Sequence, residues 1–258
     1  MDVWAKKGLG QHFLKDRQIA ARIVAGLSGN TRNVLEVGPG MGILTEHLLA
    51  RPGLATYAAE IDRESVSYLH AHFPALGPRL IAGDFLTLDL HTLFDGPVAI
   101  IGNFPYNISS QIFFKILEHR NQIPEVVGML QKEVAERIAC PPGCKTYGIL
   151  SVLLQAYYHI EYLFTVHEHV FVPPPKVKSG VVRLIRNETQ ALACDETLFR
   201  QLVKSTFNQR RKTIRNSIKA VTGSRPLPPH ELLSKRPEQL SVADFVALTQ
   251  FTSSFLFN

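Results

Sequence analysis

Three cysteines in 258 residues are too few for a disulfide-built secreted domain, and no apolar run approaches the ~20 residues needed to cross a bilayer. Cys140, Cys144 and Cys194 are odd in number, which fits thiols kept reduced in the cytoplasm. Cys140 and Cys144 frame CPPGC, but no second Cys or His pair accompanies them, so no zinc site is expected. The N-terminal MDVWAKKGLGQHFLKD has no long apolar core after its charges, which argues against a secretory leader. Internal repeats and low-complexity tracts are also missing, which excludes solenoids and propellers. A cytoplasmic, metal-free, membrane-free protein is therefore expected, and a monomer.

What is present is ordinary in bulk and uneven in detail. Hydrophobic residues make up 45% and charged residues 19%, as in a globular chain able to bury a full core. The net charge is +6, and residues 188–258 carry ten Lys or Arg against six Asp or Glu, so four of the six excess charges lie there. That bias favours a polyanionic partner without identifying one.

Strand-like runs at Asn33–Gly38, Ala55–Glu60, Arg79–Gly83, Val98–Gly102 and Val126–Leu130 alternate with helical spacing at Gly42–Ala50, Arg63–His72, Ser109–His119 and Lys132–Ile138. Such alternation predicts βαβ units around a parallel sheet with helices on both faces. After the helical run GILSVLLQAYY, Glu161–Val166 and Gly180–Ile185 flank VFVPPPKVKSG and are expected to pair at the sheet edge. Beyond Arg186 the chain reads as wholly helical. Phe199, Leu202, Val203, Phe207, Ile214, Ile218 and Val221 form one apolar stripe, with Lys204, Arg211, Arg215 and Lys219 opposite and a last helix over Glu238–Phe251. The predicted domains are 1–187, an α/β domain, and 188–258, a small helical one.

The chemistry gathers at strand ends. Gly38-Pro39-Gly40-Met41-Gly42 follows the first strand, where glycine allows a tight turn and close approach of a ligand to backbone. Glu60 ends the second strand and could accept bonds from both hydroxyls of a ribose; Asp84 ends the third and could accept from an adenine amine. Taken singly, either carboxylate could equally be a helix cap. The fourth strand ends in Asn103-Phe104-Pro105-Tyr106, an amide, a stiff Pro peptide and a ring side by side. Together these groups mark the ligand crevice of an open α/β sheet. They fit S-adenosylmethionine better than NAD, because nothing else in the chain suggests hydride chemistry.

KKGLGQHFL (6–14), LEVGPGMGILT (35–45), EID (60–62), GNFPYNISS (102–110) and FVPPPKVKSG (171–180) resemble, in that order, the motifs of the small-subunit (16S) rRNA adenine N6,N6-dimethyltransferases. The resemblance implies a Rossmann-like class I S-adenosylmethionine-dependent methyltransferase with a small C-terminal helical domain. It also implies dimethylation of two adjacent adenosines near the 3′ end of 16S rRNA within the maturing 30S subunit. Its cofactor contacts fall on Gln11, His12, Leu14, Gly38, Gly40, Glu60, Asp84 and Asn103. Phe104 stands where the family more often has Leu, a change expected to touch the pocket wall and to spare the chemistry.

Asn103 and the Phe104 carbonyl would bind the amine hydrogens, Pro105 would stiffen the turn and Tyr106 would stack on the base, with Phe171 as a second platform. Lys176 and Lys178 of the proline loop, and Arg210, Arg211, Lys212 and Arg215 of the tail, are expected to meet rRNA phosphates together with Lys6, Lys7 and Lys15. A related 23S rRNA adenine methyltransferase of the macrolide-resistance type shares the Asn-x-Pro-Tyr turn. A non-catalytic nucleic-acid-binding factor could share the fold. The KKGLGQHFL start favours the small-subunit enzyme over the first, and the complete Glu60, Asp84 and Asn103 set argues against the second.

Overall fold

The computed structural model describes residues 3–223 and 225–257. Its central sheet is built from the expected apolar runs. After the two-residue β1 (Phe13–Leu14) come β2 (Asn33–Val37), β3 (Ala55–Glu60), β4 (Leu80–Ala82), β5 (Val98–Asn103) and β6 (Glu125–Gln131). Later strands are β7 (Tyr158–Val166), β8 (Phe171–Val172) and β9 (Ser179–Arg186). The seven-stranded order is β4-β3-β2-β5-β6-β9-β7, with β2 to β6 mutually parallel and β9 antiparallel to β6. The sheet therefore grows one way from β2 through β3 and β4, then restarts on its other side with β5. That reversal opens a crevice at the carboxyl ends of β2 and β5. The two edge runs are neighbours as expected, while β8 leaves the sheet to pair antiparallel with β1.

Helices α1 (Arg17–Ala25), α2 (Ile43–Leu49), α3 (Arg63–His72), the one-turn α4 (Leu90–Leu93), α5 (Ser109–Glu118) and α6 (Lys132–Ala139) follow in chain order. Asp16 starts α1 by accepting from the backbone N–H of Gln18 and Ile19. From α1 and α2, Ala20, Ile23, Val24, Leu44 and Leu48 pack on Val34, Ile101, Val127 and Met129 of the sheet. Each such aliphatic side chain contributes about 1.5–3 kcal/mol by leaving water, enough to hold the strand ends that carry the polar groups.

Contacts divide the chain into two units: residues up to Ala135 with His159–Arg186, and Glu136–Tyr158 with everything from Asn187. Composition alone places all of 1–187 together. The difference lies in α7 (Ile149–Gln155), whose Leu150, Val152, Leu153 and Leu154 are buried, and in Tyr147, whose ring meets Phe207 edge-on at 6.1 Å.

The second unit continues with α8 (Glu196–Asn208), the short α9 (Ile214–Ser217) and α10 (Lys219–Thr222), and α11 (Val242–Phe257). The single stripe expected across 199–221 is interrupted. Asn208–Thr213 offers no apolar residue to bury, and α8 tightens into a turn, with Arg210 N–H donating to Phe207 O and Lys212 N–H to Gln209 O. The last helix starts later than expected because Ser241 and Asp244 cap it reciprocally: Ser241 N–H donates to the Asp244 carboxylate and Asp244 N–H to Ser241 Oγ.

Cys140 and Cys144 are brought side by side across CPPGC. The Pro-Pro-Gly turn, with Gly143 at φ +87°, brings their Cα atoms to 6.1 Å. Cys194 is a free thiol. Among the described residues, no helix is long and apolar enough to cross a membrane.

Candidate active site

The loop after β2 is shaped by glycine. Gly38 and Gly40 lie at φ +67° and +57°. A Cβ on Gly40 would stand 2.8 Å from the Phe13 ring, so the loop and the N-terminal segment close on each other only without one. A Cβ on Gly38 would meet nothing within 4 Å, and a side chain there would project into the open crevice that Gly38 lines.

Glu60 braces this loop. Its Oε2 accepts from Gly40 N–H and its Oε1 from Asp62 N–H, both at 2.9 Å. Burial pushes its pKa up, and those backbone donors hold it partly down. The cap of α3 is Asp62, whose carboxylate accepts from Glu64 N–H and Ser65 Oγ; Glu60 is thereby left to the crevice. Asp84 has both roles: Oδ1 caps the turn over Phe85–Thr87 by accepting from Leu86 N–H, and the residue lines the same crevice. Each carboxylate oxygen keeps a lone pair beyond the one its backbone donor uses.

Asn103 closes the far side. Its Nδ2 donates to the His12 carbonyl at 2.8 Å, which anchors the amide and leaves Oδ1 as an acceptor on a residue that lines the crevice. Gln11 and His12 line the crevice beside it. Leu14 does not. It is buried, and it borders a small recess behind the glycine loop with Gly38, Pro39 and Asn103.

Phe104 lines the crevice but is 1% exposed, its ring packed into the core. The ring fills the space above two glycines that face each other in β5 and β6, Gly102 and Gly128, and it meets Phe113 edge-on at 5.9 Å. Its N–H donates to Met129 O at 2.9 Å. The Phe104 side chain is thus engaged in core packing, while its backbone N–H holds the turn to β6.

A second cavity of about 490 Å³ opens beyond Tyr106, lined by Lys7, Gln131, Pro173–Pro175 and Lys176 among others. That volume lies within the range of roughly 300–1,000 Å³ typical of small-ligand sites. Gly10, Gln11, His12 and Tyr106 line both cavities and form their common wall. Among the bonds that fasten that wall are Asn103 to the His12 carbonyl, His12 Nδ1 to the Pro173 carbonyl at 2.7 Å, and Lys6 N–H to Gln11 Oε1 at 2.8 Å.

Several expected assignments change. Phe171, expected as a second platform, is 1% exposed and lines neither cavity in this structure; it pairs with Leu14 across β1 and β8 and joins the core. Lys6 is engaged with Asp62 and Glu64, not left for phosphate. Arg210 lies 3.7 Å from Glu238 and donates to the Lys145 carbonyl. Arg211, Lys212 and Arg215 are exposed, the first two on the turn after α8 and not on a helix face. Lys176 and Lys178 are exposed on the proline loop.

Two further residues belong to this region. Ser179, 0% exposed, holds the Tyr106 hydroxyl at 2.6 Å. Glu36, 0% exposed on β2, accepts from Thr45 Oγ1 at 2.5 Å, and burial raises its pKa to about 8. Both lie inside recognisable motifs, PKVKSG and LEVGPG; Glu36 sits within β2, and Ser179 opens β9 opposite Gln131, the last residue of β6, where a small hydroxyl between charged and glycine neighbours gives no local sign of a role.

Residues 4–252 match the family model described as ribosomal RNA adenine dimethylase. A ribosomal RNA small subunit methyltransferase A from Bacteroides thetaiotaomicron is 59% identical over 95% of this chain and 92% of its own length. Its counterpart from Cytophaga hutchinsonii is 57% identical over 97% of this chain and 98% of its own. A dimethyladenosine transferase from Plasmodium falciparum superposes with TM-score 0.78 at 25% identity, covering 95% of this chain and 98% of that one. The 23S rRNA methyltransferase ErmE gives 0.67 at 25% identity, covering 92% and 99%.

Proposed function

The chain belongs to the ribosomal RNA adenine dimethylase family, and from that premise we propose that it dimethylates N6 of two adjacent adenosines near the 3′ end of 16S rRNA. The methyl donor is S-adenosylmethionine. The observation that supports the reading is the Asn103 amide, which lines the crevice and whose nitrogen is tied to the His12 carbonyl, so that its oxygen is the group available to accept from a substrate amine.

The crevice fits the donor on its own geometry. The Gly38 cradle leaves room that a side chain would fill, Glu60 presents carboxylate oxygens suited to ribose hydroxyls, and Asp84 presents one suited to an adenine amine. Bound there, the cofactor supplies a methyl activated by its sulfonium. The protein's own residues do the rest.

Adenine N6 is a poor nucleophile because its lone pair is delocalised into the ring. In the first transfer Asn103 Oδ1 and the Phe104 carbonyl accept the two N6 hydrogens, and in the second one of them accepts the single hydrogen that remains; both favour a pyramidal nitrogen with its pair directed at the methyl. Pro105 stiffens the turn, and the Tyr106 ring supports the base face from the wall between the two cavities. The methylated nitrogen is acidic enough to release its proton to water, so positioning and a shaped polar pocket supply most of the rate.

The target adenosine must leave its stack to arrive there. Lys7, Lys176 and Lys178 in the first unit, and Arg211, Lys212 and Arg215 in the second, meet the RNA backbone. We place the reaction in the cytoplasm, with a monomer acting on the maturing 30S subunit. Identities of 57–59% over nearly the whole chain to proteins named small subunit methyltransferases support the small-subunit target.

Labelled S-adenosylmethionine offered with 30S or 50S precursors tests this directly, followed by mapping of dimethyladenosine on 16S rRNA. Label in 50S alone, or no dimethyladenosine near the 16S 3′ end, would refute it.

A further inference from the structure

A flat platform orients a base only if its own plane is fixed. Tyr106 follows a stiff Pro peptide, but its ring could still swing about the bonds leaving Cα. The structure stops that swing at the far end. The Tyr106 hydroxyl and Ser179 Oγ are 2.6 Å apart. Ser179 is fully buried, in register opposite Gln131 where β9 pairs with β6, and the flanking Lys178 carbonyl accepts from Lys132 N–H at 2.9 Å. Its hydroxyl is therefore a fixed point of the sheet. With the ring held at Cβ and at the hydroxyl, only rotation about its long axis remains, and the His12 ring with its centroid 5.5 Å away limits that rotation.

We propose that Ser179 is a positioning residue for methyl transfer: its hydroxyl fixes the Tyr106 ring as the wall on which the target base is presented. The proposal rests on the reading that Tyr106 supports the base. Ser179 lines neither cavity, so its role is exerted wholly through the tyrosine hydroxyl. It explains why a tyrosine stands here: a phenylalanine has the same face but nothing for the sheet to grip. Burial also raises the Tyr106 pKa against the opposing effect of the Ser179 bond, so the phenol stays a neutral hydrogen-bonding group.

The test compares Ser179→Ala, Tyr106→Phe, Tyr106→Ala and the Ser179→Ala/Tyr106→Phe double variant of the full chain, using methyl transfer to 30S precursors under single turnover. Calorimetric affinity for S-adenosylmethionine and thermal midpoints are measured in parallel. Ser179→Ala and Tyr106→Phe should each slow transfer by about ten-fold. The double variant should be no slower than either, since both remove one bond. Cofactor affinity should stay within about two-fold, which a general loss of structure would not allow.

A Ser179→Ala protein that is folded and as fast as the parent would overturn the proposal. So would losses that multiply in the double variant, or a matching fall in cofactor affinity. Parent-like rates in Ser179→Ala and Tyr106→Phe with a slow Tyr106→Ala would reject the serine's role and keep the base-support reading. A fast Tyr106→Ala would remove both.

Discussion

Glu36→Gln replaces a titrating buried carboxyl with a neutral isostere, and its effect on stability has a definite pH signature. Glu36 is fully buried; Oε2 accepts from Thr45 Oγ1, and Oε1 has no hydrogen-bond partner among the described residues. Burial, opposed by the Thr45 bond and reinforced by nearby Glu60, lifts its pKa from 4.5 to about 8. Between those values the folded protein keeps a proton that the unfolded chain has released. Stability from this group is therefore fully present below pH 4.5 and is lost as pH rises through about 8.

Between pH 5.5 and 7.5 that loss amounts to roughly 2–3 kcal/mol, at ~1.4 kcal/mol per unit of differential protonation. Glutamine does not titrate and keeps an oxygen for Thr45. The stability of the variant relative to the parent should thus rise by roughly 2–3 kcal/mol from pH 5.5 to 7.5, whatever its sign at either pH. Urea unfolding of both proteins at both pH values measures it, because groups common to the two cancel in the double difference. A gap that moves by less than about 0.5 kcal/mol would show that Glu36 is not held neutral by burial.

Asn103→Ala should keep the fold and most cofactor affinity while losing most turnover, as assayed by calorimetry beside methyl transfer; near-normal dimethylation would reject its catalytic role. Gly128→Ala puts a Cβ 2.5 Å from Phe104 Cε2 and should cost about 1–3 kcal/mol in chemical denaturation, whereas an unchanged midpoint would contradict the packing described. Arg211→Gln with Lys212→Gln should weaken 30S binding and reduce its logarithmic salt slope by about 1.5. Arg210→Gln should change that slope less, because Glu238 and the Lys145 carbonyl already engage the guanidinium; equal slopes for the two proteins would count against that division.

The sequence was most informative where one physical rule acts alone. β-branched runs between turn residues located the parallel strands to within a residue or two, and Glu60, Asp84 and Asn103 stood out because polar groups ending apolar strands have few other reasons to be there. Reading failed where the partner is distant. Phe171 has the composition of a stacking platform, but its pairing with Leu14 takes it into the core, and no local pattern announces a two-residue ribbon. Lys6 looks like any loop lysine until the fold brings Asp62 beside it, 56 residues away. The apolar spacing of residues 199–221 was real, but spacing cannot tell one helix from a longer one followed, after a polar turn, by two short ones. Likewise α7, apolar around most of its surface, gives no sign of which unit will bury it.

The wall of Gly10, Gln11, His12 and Tyr106 has a thermodynamic consequence. On the proposed reading, the same residues face donor on one side and acceptor on the other, so any displacement of the wall by one ligand is felt at the other site. Linkage then requires reciprocity: whatever factor RNA applies to cofactor affinity, cofactor applies to RNA affinity.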